Sequence, residues 1–214
     1  MQLIDLSHTI EHGMITYDGL PGPAITEFLT REASRTRYAA GTEFQIGRID
    51  MVANTGTYVD TPAHRFANGS DVAAIDLGSV ANLSAVVLRA VGQRSIEKTP
   101  SDLKGKALLI HTAWSQHWRS SRYWSNEHPF VSRAAAETLA KSGVKVVGID
   151  SYNIDDTADP TRPAHTELLR AGILIIEHLT NLDSLPDSRD IRFFAVPPKI
   201  RGLGSFPVRA FAMV

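Results

Sequence analysis

Ser132-Arg-Ala-Ala-Ala-Glu-Thr-Leu-Ala-Lys-Ser-Gly143-Val-Lys-Val-Val-Gly-Ile149 decides the class of fold. Ser132 is a strong N-cap, the alanine-rich run from Arg133 to Ser142 favours a helix, and Gly143 is placed to end it in the left-handed conformation. The next six residues are rich in β-branched apolar side chains and read as a buried strand. A helix feeding a strand predicts an α/β fold with a mixed sheet. Working outward, residues 86–91, 107–111 and 173–176 are further short apolar runs of the same kind. Thr166 to Ala171 reads as a short helix closed by Gly172. Strand 144–149, helix 166–171 and strand 173–176 then form a βαβ-like unit with a short crossover. Residues 191–196 and 207–214 read as two more strands, adding a partly antiparallel edge. Gly13, Gly19, Pro21, Gly22 and Pro23 predict loops in the N-terminal third.

The chain has 214 residues and no repeat or low-complexity tract, which predicts one compact domain over 1–214. Its 22 Lys and Arg residues against 23 Asp and Glu leave a net charge of −1, spread without a basic face, so nucleic acid is not an expected partner. Cysteine is absent, which excludes disulfides, a thiolate nucleophile and Cys-type zinc sites. Asp5 interrupts what would be the apolar part of a signal peptide, and no apolar run approaches the ~18 to 20 residues of a membrane span. A soluble, cytoplasmic protein with no membrane partner is the expectation.

The chemistry gathers in Asn54-Thr-Gly-Thr-Tyr58-Val-Asp60-Thr-Pro62-Ala-His64. Gly56 permits unusual backbone angles and Pro62 biases Thr61 toward extended backbone, so Asp60 and His64 belong to a turn or loop. Downstream, Glu177 follows four aliphatic residues and stands at the exit of a strand, where ligands collect in α/β sheets; Asp150 stands at the equivalent exit of 144–149. His165 lies near the start of the second helix. Together Asp60, His64, His165 and Glu177 are a nitrogen and oxygen set able to hold a divalent metal. Taken singly, each has a plainer reading: Asp60 caps a turn, His64 is a surface histidine, His165 is structural, and Glu177 pairs with Arg162 or Arg170.

Five segments carry a resemblance to a known family: Ile4-Asp-Leu-Ser-His8, Tyr17-Asp-Gly19 with the Thr-Gly-Thr-x-x-Asp-x-Pro-x-His element, Leu109-Ile-His-Thr-Ala-Trp114, Gly143 to Asp150, and His165 with Glu177-His-Leu-Thr-Asn-Leu182. The chain resembles the kynurenine formamidase-like or putative cyclase family of metal-dependent hydrolases, which includes isatin hydrolase. That resemblance implies a swivelling β/β/α type of α/β fold, a homodimer or homotetramer, and zinc or manganese activating a water that attacks an amide or lactam carbonyl. The family motif has two further histidines where this chain has Asn54 and Tyr58. Carried over by position, Asp60, His64, His165 and Glu177 remain as metal ligands, which implies one ion rather than two.

Within this reading, His64 or Glu177 serves as general base when not ligating, and Tyr58 donates a hydrogen bond to a developing oxyanion. Asn54 orients substrate or water. Phe66, Tyr17, Trp114 and Trp118 are candidates for an aromatic acyl pocket, or for core. The expected activity is hydrolysis of a small amide, lactam or related cyclic acyl compound. The alternatives are a lactonase, dehydratase or cyclase of the same fold with Tyr58 as acid, and a non-catalytic small-molecule-binding protein.

Overall fold

Four parallel strands carry the centre of the sheet, and their sequences are apolar almost throughout because helices cover one face and the curl of the sheet covers the other. The computed structural model describes residues 1–15, 17, 19–187 and 190–214, so Asp18 of the Tyr17-Asp-Gly19 segment lies outside the described residues. The order is β1 (Leu3–Asp5), β2 (Ala24–Leu29), α1 (Arg31–Ser34), β3 (Ile46–Asp50), β4 (Tyr58–Asp60), α2 (Pro62–Arg65), β5 (Leu83–Arg89), β6 (Ser95–Ile96), β7 (Ala107–His111) and β8 (Phe130–Val131). There follow α3 (Arg133–Ser142), β9 (Val146–Ile149), α4 (Pro163–Arg170), β10 (Leu174–Glu177), β11 (Ile191–Phe194), β12 (Ser205–Pro207) and β13 (Phe211–Met213). Among the described residues nine strands form one mixed sheet in the order β1-β13-β11-β5-β7-β9-β10-β4-β12. Strands β5, β7, β9 and β10 run parallel, and antiparallel strands extend both sides. The fold is thus α/β, with a large curled mixed sheet and few helices.

Alternation along the strands builds two cores. Leu108, Ile110, Val147, Ile149 and Ile175 pack under α3 and α4 against Ala136, Leu139 and Leu168. Their neighbours Leu109, Val146 and Ile176 point into the curl and meet Leu6, Val59 and Phe193. Ile110 and Leu168 are fully buried, and truncating either to alanine would cost roughly 2 to 5 kcal/mol.

Helix α3 has the boundaries its sequence predicts. Ser132 accepts from the Ala135 N–H, and Gly143 takes φ +75°. Helix α4 differs, starting at Pro163 rather than Thr166, because proline suits a first helical turn and because Asp155 accepts the Ala164 and His165 N–H groups from outside the helix. The expected strand 207–214 is divided. Residues 205–207 pair with β4 at one edge, the Val208 N–H donates to Thr57 O, and residues 211–213 join β1 and β11 on the other side. The chain crosses there because the curl brings the two edges together: Leu6 N–H donates to Ala210 O, and Thr180 N–H to Leu6 O.

Strands β2 and β3 form a separate hairpin that the sequence pattern does not show. Its residues are almost all exposed, including Ile25, Phe28, Ile46 and Ile49, so no burial imposes a period of two on the sequence. No helix among the described residues is long and apolar enough to cross a membrane.

Candidate active site

Strand β4 lies between β10 and β12, and the register on each side places functional side chains opposite one another. Tyr58 faces Glu177, while Asp60 faces Ile175 on one side and Ser205 on the other. Tyr58 and Asp60 share a face because they are two residues apart, and Val59 between them goes into the core. The Tyr58 hydroxyl donates to Glu177 Oε2, and the Ser205 hydroxyl donates to Asp60 Oδ1. Both carboxylates are fully buried.

Immediately after β4, Pro62 starts the single turn of α2 and carries His64 to the rim of the site. The glycine-rich segment before β12 packs directly on this turn. A Cβ at Gly204 would stand 2.5 Å from the His64 nitrogen, so only glycine fits without moving the backbone. Ser205 Oγ lies 2.9 Å from His64 Nδ1. With the hydroxyl proton committed to Asp60, Nδ1 is the donor in that contact, and a neutral His64 keeps its lone pair on Nε2.

His165 enters from α4. Its Nδ1 lies 2.6 Å from Asp155 Oδ2, and its Nε2 lies 3.5 Å from Asp60 Oδ2 and 3.8 Å from Glu177 Oε1. The contact with Asp60 is an ion-pair distance without hydrogen-bond geometry, and Asp60 Oδ2 is buried with no hydrogen-bond partner. Asp60, His64 and His165 each offer a ligand atom, all within 4.8 Å of one another. Oδ2 faces only the His165 ring, while Oδ1 lies 3.6 Å from His64 Nδ1; a buried carboxylate so placed needs a cation beside it, a role that protonated His165 fills without a metal and that one divalent ion held by this set would fill in its place. Glu177 stands beside the set rather than within it. Its Oε1 accepts the Ile154 N–H at 2.7 Å and its Oε2 is taken by Tyr58.

Charge in this pocket is set by burial and by the crowding of carboxylates. Burial pushes Glu177 up to about 7, with Asp60 adding to the rise and His165 opposing it. Burial works against a charged His165, but the hydrogen bond to Asp155 and the nearby Asp60 and Glu177 outweigh it and raise the ring to about 10. Tyr58 is pushed well above its usual value by burial and by Glu177, so it stays a donor.

These groups open into a cavity of about 310 Å³ whose lining includes Tyr17, Asn54, Tyr58, His64, Asn153, His165 and Glu177. Leu20, Arg65 and Arg162 complete it. Asn54 Nδ2 is 3.5 Å from Asp60 Oδ1. Phe66 does not line this cavity: it packs, partly buried, on the core beneath the helices, with the guanidiniums of Arg65 and Arg170 5.5 and 5.7 Å from its ring centroid. Trp114 and Trp118 belong to an aromatic cluster with Tyr123, Tyr152 and Trp124. Glu177 makes no salt bridge to Arg162 or Arg170; Arg170 pairs with Glu167 instead. Asp150 is likewise a structural carboxylate, accepting the Thr112 and Ala113 N–H groups and the Thr112 hydroxyl, and burial pushes it up to about 6.

Two residues of the site escape sequence reasoning. Asp155 holds His165 and the start of α4, and the trace it leaves is a carboxylate ten residues before a histidine. Ser205 is flagged only by the Gly202-Leu-Gly204 segment before it.

The family model described as "Putative cyclase" matches residues 4–156. The chain belongs to the cyclase family. Across 97% of its length it is 30% identical over 210 residues to a kynurenine formamidase of Geobacillus thermodenitrificans (strain NG80-2), covering 95% of that protein. Among solved structures, a potential metal-dependent hydrolase with cyclase activity superposes with a TM-score of 0.74 at 29% identity, covering 99% of this chain and 96% of the other. Isatin hydrolase A from Labrenzia aggregata shares the fold at TM-score 0.79 and 22% identity, over 100% and 93% of the two chains. The family fold therefore extends over the whole chain, and the site described above sits on it.

Proposed function

We propose that this protein is a metal-dependent hydrolase that cleaves the C–N bond of a small aryl amide, with kynurenine formamidase as the guide to substrate class. The carrying observation is the convergence of Asp60, His64 and His165, with ligand atoms within 4.8 Å of one another and Asp60 Oδ2 without a hydrogen bond, beside a carboxylate whose pKa lies near neutrality. Asp60, His64 and His165 would hold one zinc or manganese ion, a mixed nitrogen and oxygen set that suits either metal. Such an ion acts as a Lewis acid toward an acyl carbonyl and acidifies water.

The chain's own residues do the rest. Glu177 takes a proton from water as its oxygen bonds the acyl carbon, then returns that proton to the amine nitrogen as the C–N bond breaks. A carboxylate near 7 can both accept and return a proton at neutral pH. Tyr58 and the Ile154 N–H keep the Glu177 oxygens in place, so Tyr58 acts as a positioning residue; commitment of its proton to Glu177 argues against its serving as an acid. Asp155 fixes the tautomer of His165, leaving Nε2 toward the site. Asn54 presents its amide to the cavity, where it can orient the substrate carbonyl. The exposed apolar side chains of the β2–β3 hairpin support assembly as a homodimer or homotetramer.

The test is amine release from N-formyl aryl amides by protein loaded with zinc or manganese. Turnover that falls at least a thousandfold in Glu177→Gln while bound metal is retained is the expected result. No turnover by the parent protein with either metal overturns the reading.

A further inference from the structure

Asp60 and His64 are joined through a third side chain, the Ser205 hydroxyl, which takes no part in bond cleavage. Ser205 is buried, and the register of β12 sets it opposite Asp60. Its hydroxyl donates to Asp60 Oδ1 and lies 2.9 Å from His64 Nδ1. Nδ1 itself is 3.6 Å from Asp60 Oδ1, beyond hydrogen-bond reach, so the hydroxyl is the link between the two. The backbone around it is clamped. Gly204 O accepts the Thr61 N–H and the Thr61 hydroxyl, each at 2.8 Å. Leu203 O accepts the Val72 N–H at 2.9 Å, and the Gly202 N–H donates to Asp71 Oδ2 at 2.7 Å. Residues 202–205 are therefore a strap tied along the segment 61–72 that carries His64, and the close approach of Gly204 to the His64 backbone leaves it no slack.

Three groups meet at the Ser205 oxygen with one hydroxyl proton among them. An ionised carboxylate only accepts. A neutral imidazole with its proton on Nε2 would likewise only accept at Nδ1, and two acceptors would then compete for one proton in a buried place. A proton on Nδ1 removes the conflict: the ring donates to the hydroxyl oxygen, and the hydroxyl donates to Asp60. Serine combines donor and acceptor in a single atom, which alanine cannot do and threonine can.

We infer that Ser205 is a positioning residue that selects the Nδ1–H tautomer of His64, leaving Nε2 as the nitrogen free to take an ion or a proton. The same hydroxyl occupies Asp60 Oδ1, so Oδ2 is the oxygen left for an ion. One side chain thus decides which atom each of two neighbouring groups offers to the site. The hydrolase reading enters only in what Nε2 and Oδ2 then do; the choice of tautomer stands apart from it.

The test is nitrogen–proton correlation NMR of the full chain, labelled at histidine and freed of metal with a chelator. The buffer is held well above the ordinary histidine pKa of about 6.5, and the His64 signals are assigned by their loss in His64→Gln. The parent ring should carry its proton on Nδ1. Ser205→Ala should move it toward the Nε2–H form, which free histidine prefers, and Ser205→Thr should restore the parent pattern. A parent ring protonated on Nε2, or a tautomer that Ser205→Ala leaves unchanged, overturns the inference. Calorimetric zinc titration gives a second readout that needs no substrate. Ser205→Ala should weaken binding at least tenfold, as when the partner of a ligating histidine is lost, and Ser205→Thr should bind nearly as the parent does. A tautomer that changes without loss of zinc affinity sustains the selection by Ser205 and counts instead against His64 as a ligand, and so against the hydrolase reading.

Discussion

His165 and Asp155 are joined at 2.6 Å through Nδ1 and Oδ2, and the same Asp155 carboxylate accepts the N–H groups of Ala164 and His165. One side chain therefore starts helix α4 and aims the imidazole it carries. Asp155→Asn removes the charge and one acceptor oxygen while keeping the volume. Metal affinity should fall roughly 10- to 100-fold, as when partners of ligating histidines are lost. Stability should fall by about 1 to 3 kcal/mol from the buried donors left behind. Calorimetric metal titration and thermal melting measure the two separately.

Metal and proton compete for His165. Carboxylates hold its folded-state pKa near 10, so the ring carries two protons at neutral pH, and an ion taking Nε2 must displace one of them. Apparent affinity should rise by roughly tenfold per pH unit between pH 6 and 8. Titrations in buffers of different ionisation heat should show about one proton released per ion. Affinity independent of pH would mean that His165 does not ligate.

Tyr58→Phe takes a donor from a buried carboxylate and so disfavours the charged form of Glu177. The general base must be ionised to work, so activity rises with pH through the Glu177 pKa, and loss of the Tyr58 hydroxyl moves that limb to higher pH. Turnover at pH 7 should drop roughly tenfold and recover in part at pH 9, with metal content unchanged. A pH–rate profile with an unmoved limb and a uniform loss would instead mark Tyr58 as contacting substrate.

His8 stacks on Trp118 with ring centroids 3.9 Å apart, and its Nε2 is buried without a partner. Burial, aided by Arg119, lowers its pKa to about 4, so the fold favours the neutral ring. Its contribution is complete above the unfolded value near 6.5 and is lost as pH falls toward 4. The amount is about 3 kcal/mol. His8→Phe keeps the stack and removes the proton site. Denaturant unfolding at pH 4.5 and pH 7.5 should show a smaller difference for the variant than for the parent protein; an equal difference would place the acid sensitivity elsewhere.

The elements legible in the sequence are those whose signals are local. Helix α3 carries its own cap and its own terminating glycine, and β7 is an apolar run with clear ends. The start of α4 is not local, since its cap arrives from Asp155, before the helix begins. The division of 207–214 depends on the sheet edges meeting, which no window of sequence contains. At the site, the Asp60 and His64 spacing with His165 is readable because it forms a motif. Ser205 becomes meaningful only through its register with Asp60, and the Tyr58 contact with Glu177 only through the antiparallel pairing of β4 with β10. Phe66 misleads because adjacency to a motif says nothing about which way a ring turns after a single helical turn.

Asp60 and His64 come from one end of that motif and His165 from a helix roughly a hundred residues later, so an ion held by all three would be a removable crosslink between distant parts of the chain. A covalent tie closing a loop of that length restricts the unfolded chain by roughly 4 to 5 kcal/mol in the chain-entropy model. Demetallation would then do more than silence the chemistry: it would untie β4 and the turn of α2 from helix α4, and the whole domain would unfold at lower temperature.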